Sequence, residues 1–205
     1  MRQIPLPLGS PDGGEQPRIV VGSANAAVID AFARAGDWPF RTAVLVGPAR
    51  SGKSLLANWF VSSGLGQAID NAEGLDEHSL FHRWNRAQET AEPLLLVASG
   101  REAGWSIALP DLASRIGAAL HLTIGALDDA MMTDLIALHA EKRGLVLGAD
   151  AESYLASRAE RSHLGVERLV AAIDRLTMER KLPPNRAILR EALEEQARTK
   201  ALRLP

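Results

Sequence analysis

Apolar residues in the first 125 positions fall into short continuous runs, whereas beyond them they recur only at helical spacing. RIVV (18–21) is a short apolar segment, and a helical pattern follows it, which Ser23 or Asn25 can cap and Gly36 can stop. TAVLV (42–46) is an unbroken β-branched and aliphatic run, as a parallel strand covered on both faces requires. KSLLANWFV (53–61) reads as a helix directing Leu55, Leu56 and Trp59 inward. QAID (67–70) is a weak strand, and DEHSLFHRWNRAQET (76–90) is a helix. PLLLVAS (93–99) and ALHLTI (119–124) are two further buried strands. Four helices complete the chain: over 128–142 ending near Gly144, from Asp150, over 165–180 before Pro183 and Pro184, and over 185–199. Strands alternating with helices, then helices alone, predict an α/β domain over 18–125 and a small helical domain over 126–205.

Residues 1–17 stand apart. QIPLPL (3–8) is mostly apolar, but GSPDGGEQPR follows at once, so the segment lacks the apolar length and cleavage site of a secretion signal. Pro5 and Pro7 each remove a ladder donor, which argues for an extended, polyproline-like peptide instead of a core strand. Extended peptides of this kind commonly dock in another protein's groove. The 205 residues are 46% apolar, enough for one full core with a small satellite domain. A net charge of −2 provides no general field for polyanions, which argues against tight non-specific DNA binding. With no cysteine there is no disulfide framework and no thiolate metal site, consistent with a reducing compartment. No apolar run approaches the roughly 18 residues of a membrane span. The expectation is a soluble, cytoplasmic globular protein.

GPARSGKS (47–54) matches G-x-x-x-x-G-K-[ST] at every fixed position. Gly47 and Gly52 let the backbone turn its amides inward, so that residues 47–55 cradle phosphate oxygens. That stretch comprises Gly47, Pro48, Ala49, Arg50, Ser51, Gly52, Lys53, Ser54 and Leu55. Lys53 supplies a point charge for β- and γ-phosphates, and Ser54 offers a hydroxyl to Mg2+ at the positive end of a helix. The strand before the loop and the helix after it are the context the motif demands. Asp70, closing QAID, is the candidate acid for holding Mg2+ through water, or else a cap for the next helix. Asn71 stands where a second, water-activating acid belongs, and an amide cannot take a proton, so weak or no ATP hydrolysis by this chain itself is expected.

RIVVGSANAA, GPARSGKS, AIDNAE, LFHRWNRAQE and LPDLASRI, in this order, make the chain resemble the AAA+ domain of the DnaA replication initiators. More narrowly it is similar to their Hda branch, regulators that inactivate DnaA. The resemblance runs from residue 3 to about 195. It implies a three-layer α/β/α parallel sheet, reduced by an edge strand because few residues separate the helix after Lys53 from Asp70, and then a helical lid. It implies ADP or ATP as ligand, with adenine against Val20 and Val21, which equally could seal the core. Arg115 stands at the family's arginine finger, which reaches a neighbouring subunit's nucleotide and is worth roughly 10³–10⁵ in rate; the alternative is a surface arginine in a loop. GVERLVAAIDRL resembles the sensor 2 helix, but Glu167 aligns with the family's arginine and Arg168 falls one residue later, about 100° around a helix. Arg168 is a nucleotide contact from the lid or a solvent-facing charge. VASGREAG carries Ser99 and Gly100 where relatives position water, which leaves Ser99 as the stand-in.

In the Hda branch an N-terminal hexapeptide docks on the DNA polymerase sliding clamp. Gln3, Ile4, Leu6, Pro7 and Leu8 match it; the alternative is a strap over the protein's own surface. Leu6 and Leu8 would each bury about 1.5–3 kcal/mol of apolar surface, and a homodimer would add avidity. The chain stops where DnaA continues into its DNA-reading domain, so no sequence-specific DNA binding is expected. The resemblance therefore implies a nucleotide-bound adaptor that binds the clamp and promotes hydrolysis of DnaA-bound ATP. The alternatives are a self-contained P-loop ATPase or kinase, and a DnaA-recruiting module without inactivating activity.

Overall fold

The computed structural model describes residues 2–5, 18–99 and 105–201. Strands Arg2–Pro5 (β1) and Arg18–Val21 (β2) pair antiparallel, with Gln3 opposite Val20 and Ile4 opposite Ile19. The start of QIPLPL is therefore a strand, contrary to the expectation from its prolines. Pro5 ends the ladder opposite Arg18 of a two-stranded sheet, where a missing donor interrupts no continuing strand. Leu6, Pro7 and Leu8 lie outside the described residues.

Helix Ala26–Phe32 (α1) begins after Asn25, but the Asn25 side chain makes no bond to the helix and so does not cap it. It accepts from the Gly22 amide at 3.0 Å and donates to the Val20 carbonyl at 2.9 Å, fixing the turn that leaves β2. The helix also stops before Gly36. Trp38 donates to the Ala31 carbonyl at 2.9 Å and stacks on Phe60 with centroids 5.4 Å apart, so packing of the indole turns the chain early.

The central sheet is parallel. Its strands are Thr42–Val46 (β3), Gln67–Ile69 (β4), Leu94–Val97 (β5) and Leu120–Thr123 (β6), in the order β4-β5-β3-β6. Among the described residues nothing extends the sheet past β4, in keeping with a sheet reduced at that edge. Helix Lys53–Ser62 (α2) packs against β4 and β5, and helix α1 against β6. Its buried positions are Leu56, Ala57 and Phe60, while Leu55 and Trp59 are half-buried. The inward stripe is thus centred on the i, i+4 pair Leu56 and Phe60, rotated from the sequence reading.

The opposite face carries helices Glu77–Thr90 (α3) and Pro110–Gly117 (α4). Val44, Ile69, Leu94 and Leu96 meet Leu80, Trp84, Leu112 and Ile116 there in one buried cluster. Asp76 caps α3 by accepting from the Ser79 amide at 2.9 Å. Helix α4 was missed by hydrophobic periodicity, because only Leu112 and Ile116 are buried in its eight residues. Both oxygens of Glu77 take the amides just before it, Ala108 at 2.8 Å and Leu109 at 2.7 Å, which ties the start of α4 to α3.

The chain divides into two compact units, Met1–Gly125 and Ala126–Pro205. The second comprises helices Asp129–Glu141 (α5), Ala149–Ala156 (α6), His163–Arg180 (α7) and Arg186–Ala201 (α8). Helix α5 packs on α6 and α7, and α7 on α8, around Met132, Ile136, Leu155, Leu169, Ile173 and Ile188. Asp128 and Ser162 cap α5 and α7, accepting from Met131 at 2.7 Å and Gly165 at 2.9 Å. Among the described residues no helix is long and apolar enough to cross a membrane.

Candidate phosphate-binding site

Between β3 and α2 the chain makes a tight loop at the carboxyl edge of the sheet. Gly47 is buried there: a Cβ would lie 2.9 Å from Ile124 Cβ and 3.1 Å from Ser51 Oγ, so a side chain is excluded. Gly52, at φ +86°, turns the loop into the first residue of α2, and amides at the start of that helix have no intrahelical partners. Pro48, Ala49 and Arg50 are exposed, whereas Ser51 is buried and its hydroxyl has no hydrogen-bond partner in the structure. Lys53 folds back over the loop, donating to the carbonyls of Gly47 at 2.8 Å and Pro48 at 2.9 Å. Burial lowers its pKa, opposed by the negative charges of Asp70 and Glu73. Ser54 is exposed in the first turn of α2 and Leu55 is half-buried. An unsatisfied buried hydroxyl, free helix-start amides and a partly desolvated ammonium form a donor set that suits phosphate oxygens.

Asp70 lies just past β4 instead of within a strand, and it caps no helix, since Asp76 performs that task for α3. It is exposed and accepts from the Asn71 amide at 3.0 Å. Asn71 adopts left-handed φ +53°, and its amide lies over Gly74, where a Cβ would come within 2.5 Å of Nδ2. That turn brings Glu73 back towards the strand ends. Glu73 Oε1 accepts from the Ser99 amide at 2.7 Å, while Oε2 is buried with no partner in the structure. Burial pushes this carboxyl up, but hydrogen bonds from Ser99 outweigh it and hold the pKa below the usual glutamate value, with the Lys53 charge acting in the same direction. Asn71, Glu73 and Ser99 line a cavity of about 940 Å³. Sequence reasoning missed Glu73; the signal was present in AIDNAE, an acid three residues beyond Asp70 in a stretch too short for a helix. Gly100 lies outside the described residues.

Arg115 is on α4, so the reading that placed it in a loop is corrected. The side chain is half-buried. Its guanidinium carbon lies 4.3 Å from the Trp84 ring centroid and 4.6 Å from that of Phe81, and Nη1 donates to Asn85 Oδ1 at 2.7 Å. All three partners are on α3. Val20 is buried and Val21 half-buried on β2. In the helical unit, α7 buries Val166, Leu169, Val170 and Ile173; Arg168 is exposed between them and Glu167 is half-buried.

No family model matches the chain. Its structure is similar to domain III of the Thermotoga maritima replication initiation protein DnaA, with a TM-score of 0.68 and 15% identity over 86% of this chain and 94% of that one. The fold is that of an AAA+ domain. A DNA replication initiation factor gives a TM-score of 0.61 at 15% identity, over 80% of this chain and 65% of that one. The replication initiator DnaA bound to AMPPCP and single-stranded DNA gives 0.58 at 14% identity, over 80% and 66%. The chain thus spans slightly under two thirds of the two longer structures. Strand β3 lies inside the sheet and leads into the loop that begins at Gly47; β5 is its neighbour and β4 the strand beyond, and Ser99 follows the first as Asp70 and Glu73 follow the second.

Proposed function

We propose that this AAA+ chain is a regulator of replication initiation, a nucleotide-bound adaptor that binds the DNA sliding clamp and promotes hydrolysis of DnaA-bound ATP. The observation that carries the reading is the loop from Gly47 to Ser54, whose buried Ser51 hydroxyl and folded-back Lys53 answer the needs of a polyphosphate. In this reading the amides of residues 47–55 hold ADP or ATP, Lys53 exchanges two carbonyls for phosphate oxygens, and Ser54 and Asp70 hold Mg2+. Val20 and Val21 border adenine. ATP, when bound, supplies the anhydride that hydrolysis opens.

Arg115 acts in trans on the nucleotide of DnaA. To do so it must leave Phe81, Trp84 and Asn85. The two cation–π contacts are worth about 0.5–2 kcal/mol each and the amide hydrogen bond about 1.5–3 kcal/mol. A bidentate, charge-assisted contact to phosphate is roughly twice as strong as a neutral hydrogen bond, so it can offset that loss. The test is a radiolabelled-ATP assay with DnaA, clamp and DNA. Arg115→Ala abolishes stimulation while clamp binding is retained; equal stimulation by the variant removes the mechanism.

The pairing of Gln3 with Val20 favours a second reading of the N-terminus, as a strap along β2. Clamp docking requires Gln3, Ile4, Leu6, Pro7 and Leu8 to present their side chains to a groove. A clamp pull-down with Gln3→Ala and Leu6→Ala decides: loss of capture supports the clamp ligand, and undiminished capture leaves the strap.

A further inference from the structure

We propose that Glu73, and not Asn71, is the acid that orders and deprotonates the attacking water in this chain's own nucleotide site, so that the chain itself turns ATP into ADP. The inference rests on the nucleotide-binding reading and deepens it. Asn71 occupies the position next to Asp70 from which an acid would be expected to work, but its left-handed backbone lays the amide over Gly74. The same turn carries Glu73 to the end of β5, where the Ser99 amide holds Oε1 at 2.7 Å and leaves Oε2 buried.

A buried carboxylate oxygen without a donor is costly, and in native proteins such an atom is usually met by water or serves chemistry. Glu73 Oε2 is in this state, the residue lines a cavity together with Asn71 and Ser99, and its carboxylate lies within the electrostatic reach of Lys53, which the nucleotide-binding reading sets against the terminal phosphates. Its carboxyl stays ionised at neutral pH, as a proton acceptor must. In the step itself, the water oxygen forms its bond to the γ-phosphorus as the bond to the β–γ bridging oxygen breaks. That electron pair leaves with ADP, and the water proton passes to Glu73 Oε2. Asp70, three residues away, remains for the metal. The chain thereby sets by its own slow turnover which nucleotide it holds.

The experiment uses the full chain. Single-turnover hydrolysis of radiolabelled ATP is measured for wild type, Glu73→Gln and Asn71→Gly, beside anisotropy titrations with fluorescent ADP and a non-hydrolysable ATP analogue. Glutamine keeps an oxygen for the Ser99 amide but cannot take the proton. Glu73→Gln is expected to slow turnover about a hundredfold, the scale of a lost general base. ADP affinity should stay within about twofold, and removing a negative charge facing the γ-phosphate should tighten the analogue about three- to tenfold. Asn71→Gly, which tolerates the positive φ, should hydrolyse within about twofold of wild type. Wild-type turnover by Glu73→Gln overturns the proposal, as does a loss of Mg2+-dependent affinity in that variant, which would make Glu73 a metal ligand. Binding without turnover in wild type overturns this proposal alone, whereas absence of nucleotide binding overturns the underlying reading with it.

Discussion

Lys53 and Arg115 are held in opposite ways. Lys53 is gripped by carbonyls five and six residues before it, so its place is a local property of the loop. Arg115 is gripped by ring faces and an amide about thirty residues away on α3, so its place exists only once α3 and α4 have packed. The difference bears on function. A cation tied to its own loop is pre-aimed at a ligand in that loop. A cation clasped by a neighbouring helix is stored, and it acts elsewhere only by exchanging its partners.

The largest effect should come from the locally held cation. Lys53→Ala is expected to weaken fluorescent ADP binding by about a hundredfold or more, since it removes a charge-assisted contact in a partly desolvated site. Its circular dichroism should be unchanged; near-normal affinity would break the comparison at its first term. Next, Arg115→Lys should recover only a small part of the stimulation lost in Arg115→Ala, because an ammonium lacks the planar fork that stacks and donates in pairs. Recovery to wild-type level would mean that charge alone matters.

Asn85→Ala sharpens the comparison further. It removes the amide acceptor of the clasp without touching Arg115, and should cost about 1.5–3 kcal/mol in urea denaturation. Stimulation of DnaA should be preserved or raised, as a stored cation predicts; a fall to the Arg115→Ala level would make Asn85 part of the working geometry. The smallest effect concerns acid. The folded-state pKa of Glu73 is below its ordinary 4.5, so its ionised form stabilises the fold fully above that value and stops doing so as pH falls through the lower, folded one. The melting temperature of wild type relative to Glu73→Gln should therefore decline below about pH 4.5. A constant difference from pH 7 to 3 would contradict the Ser99 contact.

Much of the fold was legible because β3 and β5, the two inner strands of the sheet, are unbroken apolar runs. TAVLV and PLLLVAS can only be buried on both faces, and the strands they form lie side by side. Helices α3 and α5 begin within a residue of their expected starts because Asp76 and Asp128 cap them. The misreadings share one origin. Helix α4 shows two buried positions, too few for periodicity to register, and it is anchored by Glu77 from another element. β1 is a strand through its ladder with β2, which overrides the tendency of its proline. The end of α1 is set by Trp38, which reaches back to the Ala31 carbonyl and stacks on Phe60.

The sites divide in the same way. GPARSGKS dictates its own geometry, because two glycines and a helix start within eight residues leave the backbone few alternatives. That Glu73 adds its charge to that of Asp70 near Lys53 was invisible along the chain, where Asn71 and Glu73 differ only by two positions. Their roles separate when Asn71 turns left-handed and the end of β5 presents the Ser99 amide. Hydrogen bonds and turns closed within a few residues are written into neighbouring side chains, whereas contacts across about 26 residues, from Glu73 to Ser99, or 30, from Asn85 to Arg115, depend on where the sheet puts its strand ends.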